Sequence, residues 1–119
     1  MNVAVVGASR NPERYSHRAV LLLQEKGHRP FPVHPGLDEV AGFRVSKTLQ
    51  DIAEAIDTVT VYLSAKNQGD LGDAVLGIKA KRIIFNPGAE NPELEEQLRQ
   101  AGVEVIEACT LVMLNTGQF

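Results

Sequence analysis

Residues 2–18 read NVAVVGASRNPERYSHR, and the way they are read decides the fold. Val3, Ala4, Val5 and Val6 form an apolar run with no polar alternation, too short for a helix and suited to a strand covered on both faces. Gly7 follows at once, where a backbone can turn and come close to a ligand, and free amide groups and Ser9 beyond it can face phosphate oxygens. Ser16 is then placed to cap a helix carrying Val20, Leu21 and Leu23, which Gly27 ends. A strand, a glycine turn and a helix in this order are how nucleotide sites often begin.

Four further runs rich in β-branched residues share the length of the first, at residues 30–33, 58–63, 82–85 and 104–107. The segments between them have helical spacing. Asn91 and Pro92 open a helix with Glu93, Glu95 and Glu96 at its positive end, Leu94 and Leu98 on its inner face and Gly102 at its close. The four glutamates from Glu90 to Glu96 read as a solvated helix start rather than an acid/base pair. Residues 67–78 keep a helical stripe of Leu71, Val75 and Ile78 in spite of three glycines, residues 49–55 read as a short helix or turn, and residues 43–45 as a small edge strand. This alternation predicts an α/β fold: a Rossmann-like doubly wound parallel sheet of five to six strands with helices on both faces. Right-handed crossovers bring residues 58–63 beside residues 3–6, and a ligand is expected outside the carboxyl ends of those two neighbours. Gly7, Ala8 and Ser9 from one and Tyr62, Leu63 and Ser64 from the other would line that crevice.

Composition narrows the function. At 119 residues the chain is expected to be a single domain spanning residues 1–119, and 44% hydrophobic residues suffice for its core. A net charge of −3 argues against nucleic acid as a partner, because neutralising phosphates normally needs a basic excess. No apolar run nears the roughly 20 residues of a membrane span, so no membrane association is expected. The single cysteine, Cys109, and the lack of a charged leader with an apolar signal region predict a reducing, cytoplasmic location.

The residues that carry chemistry lie at the strand ends. Gly7, Ala8 and Ser9 lack the further glycines of a dinucleotide fingerprint, and a plain strand-to-helix connection is the competing reading. Arg10, Arg14 and Arg18 fall within nine residues and can supply planar phosphate contacts, or simply form a solvated helix face. The second strand ends Val33, His34, Pro35, with no acid before Asp38 to accept a ribose hydroxyl. That counts against NAD and suits a ligand whose ribose carries a phosphate, as coenzyme A does. His34 either contacts such a ligand or holds the turn before proline. Asn86 can reach the crevice with a donor and an acceptor, while Asn86, Pro87 and Gly88 also read as a rim turn. Cys109 is read as a small buried thiol, and His17, His28 and His34 have no metal-ligand spacing.

The ordered set VVGAS, NPERYSHRAVLLLQEKGHRPFPVHP, IDTVTVYL and NPGAENPELEEQLRQAGVEVIEAC resembles the small stand-alone CoA-binding domain proteins. Their fold is similar to the N-terminal CoA-binding domain of the succinyl-CoA synthetase alpha subunit. The resemblance implies a domain that holds CoA or an acyl-CoA without the usual dinucleotide fingerprint. The family's glycine turn falls on Gly7, Ala8 and Ser9, its strand-end VNP on Val33, His34 and Pro35, and its next loop on Tyr62, Leu63 and Ser64. Its fourth-strand loop falls on Ile84 to Gly88, with Asn86 at the turn, and its terminal cysteine on Cys109. His34 replaces the usual asparagine, and VYLSAKNQ replaces a stretch that often carries FR, leaving Lys66 as the nearest cation there.

The expected function is non-catalytic binding of coenzyme A or an acyl-CoA, with Arg10, Arg14 and Ser16 joining the lining residues as contacts. No enzyme activity of its own is expected, since no reaction centre is visible. The competing readings are a ligand-sensing or interaction module, or an accessory partner of an acyl-CoA ligase with CoA binding reduced or lost. Domains of this type often pair through an edge strand or an exposed helix, so a homodimer is also expected.

Overall fold

The computed structural model describes residues 1–119. In chain order the elements are β1 (Asn2–Val6), α1 (Tyr15–Glu25), β2 (Arg29–Val33), β3 (Glu39–Val40), β4 (Phe43–Arg44), β5 (Thr58–Val61), α2 (Leu71–Gly77), β6 (Arg82–Phe85), α3 (Pro92–Gln100), β7 (Glu104–Glu107) and α4 (Thr110–Asn115). Five strands form one parallel sheet in the order β2-β1-β5-β6-β7. The fold is α/β and Rossmann-like, with β1 at the point where the chain reverses its direction of growth. No helix is long and apolar enough to cross a membrane.

Alternate residues of each strand feed the two faces of the sheet. Val3 and Val5 pack with Val20 and Leu23 of α1 and Leu114 of α4. Ala4, Val6, Val59, Val61, Ile83 and Phe85 face the other way, onto Leu71 and Val75 of α2 and Leu98 of α3. Each such side chain fully removed from water contributes roughly 1.5–3 kcal/mol, so the two clusters together hold the layers.

Several boundaries differ from those read in the sequence. β5 stops at Val61, because the chain bends at Leu63. The helix expected from residue 67 begins at Leu71: Ala65–Asn67 forms a 3-10 turn and Gly69 takes φ +51°. Residues 49–55 contribute only the 3-10 turn Leu49–Asp51. β4 does not extend the main sheet but pairs antiparallel with β3, and a single bridge between Val33 and Ser46 ties this ribbon back to β2. Ser16 is not the cap of α1. Arg14 occupies that position without a side-chain bond, and Ser16 is buried in the first turn.

Both edges of the sheet resist strand addition. The Arg29 N–H bonds to Met1 O, so the even positions of β2 point outward, and these are Pro30 and Pro32, which have no N–H. The outward N–H of His34 is taken by Ser46 O at 3.0 Å. At the other edge β7 is flanked by the exposed carboxylates of Glu104 and Glu107.

One buried polar cluster crosses the α4 face. Asn86 Nδ2 donates to Thr60 Oγ1 at 2.7 Å and to Val61 O at 3.0 Å, while its Oδ1 accepts from Thr110 N at 2.8 Å. Thr60 and Thr110 share a hydroxyl hydrogen bond of 2.8 Å. Asn86 thereby joins β5, β6 and the start of α4. Asn86→Ala leaves the buried Thr110 N–H without a partner, a loss of about 1–3 kcal/mol. Thermal unfolding should register it as a Tm lower by about 4–12 °C, and an unchanged Tm would show that the amide does not hold α4.

Candidate functional site

A crevice of about 560 Å³ opens at the carboxyl ends of β1 and β5. Its floor is Gly7, Ala8 and Ser9, one wall is Tyr62 and Leu63, and the opposite side is the start of α1 with Glu13, Arg14, Tyr15 and Ser16. His34 and Pro87 close the rim. Gly7 makes the approach of the two loops feasible. It leaves β1 at φ +87°, and a Cβ there would lie 3.1 Å from Leu63 Cδ2 and 3.3 Å from the Leu63 backbone N.

The loop from Gly7 to Arg14 is held by its own polar groups. Gly7 and Ala8 N–H both donate to Val33 O at 3.3 Å, so these two amides, expected to be free, are turned toward β2. Ser9 Oγ accepts from Asn11 N at 3.1 Å, and Asn11 Oδ1 accepts from Glu13 N at 3.0 Å. His17, buried on α1, donates from Nδ1 to Ser9 O at 2.8 Å and pins the loop to the helix. The N–H groups of Ser9 and Arg10, and of Tyr15, Ser16 and His17 in the first turn of α1, have no partner within the protein. A cluster of unpaired amides at the positive end of a helix suits an anion. The exposed Arg14 beside it adds a full positive charge.

Eight of the residues expected at the site come together in this crevice: Gly7, Ala8, Ser9, Arg14, Ser16, His34, Tyr62 and Leu63. Five do not line it. Val33 is buried, its carbonyl serving Gly7 and Ala8; Arg10 and Pro35 are exposed outside it; and Ser64 turns its Oγ to Asn67 Nδ2 at 3.0 Å. Asn86 is displaced most clearly, since it is 2% exposed and its amide is committed inside the fold. Glu13 and Tyr15 line the crevice without having been expected there, and Pro87 lines it from the turn read as a rim loop. The run from Ser9 to Ser16 was the available signal for Glu13 and Tyr15, because any helix starting near Tyr15 places the preceding residues at the strand end.

His34 Nδ1 accepts the Gly36 N–H at 2.9 Å. The neutral ring therefore carries its proton on Nε2, leaving a donor on a residue of the rim. The Tyr62 hydroxyl is buried beside Thr60 and Thr110, which bond to each other, and Tyr62 Oη has no hydrogen-bond partner. Burial pushes its pKa up to about 12, against a smaller pull from the two threonines, so it stays a neutral phenol. Cys109 is half-buried at the N-cap of α4, not fully buried as expected, and does not line the crevice. No group of histidine, cysteine and carboxylate side chains is arranged to hold a metal.

A larger cavity of about 720 Å³ lies against the edge of β2. Its Arg29 and Lys47 are paired with Glu54 at 3.2 Å and Asp38 at 3.1 Å, while its Arg44 belongs to no ion pair.

The profile of the family described as "CoA binding domain" matches residues 1–115. The uncharacterized protein YneT of Bacillus subtilis (strain 168) is 31% identical over 104 residues, 87% of this chain and 77% of that protein. A crystal structure of an uncharacterized protein superposes with a TM-score of 0.92 at 40% identity, covering 99% of this chain and 97% of that one. A dinucleotide-forming acetyl-coenzyme A synthetase 1 from Ca. Korarchaeum cryptofilum shares the fold over 90% of this chain and 25% of its own, with a TM-score of 0.75 and 22% identity.

The acidic start of α3 is not uniformly solvated. Glu95 is 2% exposed, accepts the Asn91 N–H at 2.9 Å and lies 3.6 Å from Arg99. A hydrogen bond between the Glu95 and Glu107 carboxyls, with the charge of Glu95 behind it, raises the Glu107 pKa above its ordinary 4.5. The folded chain thus holds this proton more tightly than the unfolded chain, and stability from Glu107 falls as pH rises from 4.5 through the raised value. Glu107→Gln is expected to raise Tm at pH 7 and to change it little at pH 4. An equal gain at both would remove the carboxyl pair as its cause.

Proposed function

The chain belongs to the CoA-binding domain family, and from that premise we propose that it binds coenzyme A or an acyl-CoA in the crevice between the ends of β1 and β5. The observation that carries the reading is the set of unpartnered amides of Ser9, Tyr15 and Ser16 in the crevice lining, with Arg14 beside them and Glu13 the one carboxylate of the lining. The pyrophosphate sits over this set, where the amides and the helix end stabilise negative charge without a metal ligand. The ring donor of His34 serves the phosphorylated ribose, in a rim with no carboxylate from β2 to repel it.

Binding is the whole activity under this proposal. The crevice offers no nucleophile next to a base: Ser9 Oγ is engaged by Asn11, Tyr62 is held neutral, and Cys109 lies outside. The fold-level likeness to an acetyl-coenzyme A synthetase fits a module that, in the larger protein, accounts for a quarter of the chain.

Calorimetry with CoA, dephospho-CoA, NAD and NADP tests the proposal. CoA should bind, dephospho-CoA more weakly, and NAD not at all; heat from NAD with none from millimolar CoA overturns it. Arg14→Ala should weaken CoA about two- to fivefold, the range for one exposed charge, with the difference shrinking in high salt. His34→Ala should narrow the gap between CoA and dephospho-CoA, whereas His34→Asn should keep most of it. Equal losses for both ligands would place His34 in the turn alone.

A further inference from the structure

The outer face of α1 carries a self-complementary pattern. Arg18, Leu21, Leu22 and Glu25 fall at i, i+3, i+4 and i+7 on the side away from the buried Ser16, Val20 and Leu23, with Leu22 half-buried and partly packed on the core. Leu21 is 47% exposed, although leucine is among the residues most often buried. Alongside, α4 presents Leu111 and Asn115, and the six side chains border an open groove of about 590 Å³.

The charges at its two ends are unspent. Neither Arg18 nor Glu25 belongs to any of the four ion pairs in the structure. Arg18 instead stacks over the Tyr15 ring, 5.6 Å from its centroid. Arg18 and Glu25 are equally distant in sequence from the midpoint between Leu21 and Leu22, about 10 Å apart along the helix axis. Turning a second copy about a two-fold axis through that midpoint sets Leu21 against Leu22 of the other copy. The same operation sets Arg18 against Glu25, and Glu25 against Arg18, so the interface holds two equivalent ion pairs.

We propose that this α1 face is a homodimer interface, two copies crossing α1 antiparallel with α4 at the flank. The occupant is a second copy because the pattern complements itself under a two-fold, as an isologous interface requires. The route through strand pairing is opposed on both edges of the sheet, by Pro30 and Pro32 on β2 and by Glu104 and Glu107 on β7. The apolar centre supplies attraction and the flanking charges set the antiparallel direction.

Sedimentation equilibrium of the full chain, from low to high micromolar concentration, decides the matter. A reversible monomer–dimer equilibrium is expected. Arg18→Glu or Glu25→Arg alone turns two attractions into two repulsions and should weaken the dimer about tenfold or more, while the double exchange should restore it. Leu21→Glu should leave a monomer. Circular dichroism and thermal unfolding confirm that each variant remains folded, as exposed positions allow. A wild-type chain that stays monomeric throughout, single reversals without effect, or a double exchange that fails to recover would each overturn the interface.

Discussion

The close packing of Gly7 against Leu63 is the contact on which the carboxyl edge of the sheet depends. With the Leu63 side chain 3.1 Å from where a Cβ would stand, the loops after β1 and β5 meet over the end of the sheet. The same turn sends the chain toward α1, so the helix starts over the mouth of the crevice. His17 then returns a hydrogen bond to Ser9 O and makes loop and helix one unit. A residue with a Cβ at position 7 would be strained at φ +87° and would push Leu63 back by a few tenths of an ångström.

The order of strands was readable because short β-branched runs alternated with helical stripes, and the crossover rule then placed β5 next to β1. Boundaries were less readable where local chemistry outweighed pattern. The apolar run extends through Tyr62 and Leu63, but the ladder ends with the Tyr62 N–H bond to Val6 O at 2.9 Å, since the loop then bends at Leu63 to meet Gly7. Phe43 has strand propensity, but two residues on either side of a turn at Ala41 and Gly42 make a ribbon of their own. β2 could have been recognised as an edge: prolines at alternate positions remove every outward N–H, a pattern that a central strand cannot carry.

The site was readable at the level of segments more than of side chains. Gly7, Ala8, Ser9, Tyr62, Leu63 and Ser64 follow from topology, and all but Ser64 line the crevice. Asn86 lies at a correct strand end but faces inward, where Thr60 and Thr110 need its amide. A residue's position in a strand-end loop fixes its neighbourhood, whereas its direction depends on which buried groups lack partners. Glu95 shows the same limit. It shares a helix start with exposed glutamates, yet the Asn91 N–H draws it into the fold and close to Glu107.

These internal commitments also determine which surfaces keep their chemistry. Backbone donors along β2 are absent or used, Arg29 and Lys47 are neutralised by carboxylates, and Asn86 is consumed within the core. Helix α1 keeps two such sets. Its first turn has amides without partners, and its outer face has leucines with unpaired charges at both ends. The two features occupy different parts of one short helix, because the N-terminus must face the sheet end while the side away from Val20 and Leu23 must face solvent. One short helix thus offers free N–H groups at its N-terminus and a charge-flanked apolar face along its outer side, while Val20 and Leu23 hold its other side on the core.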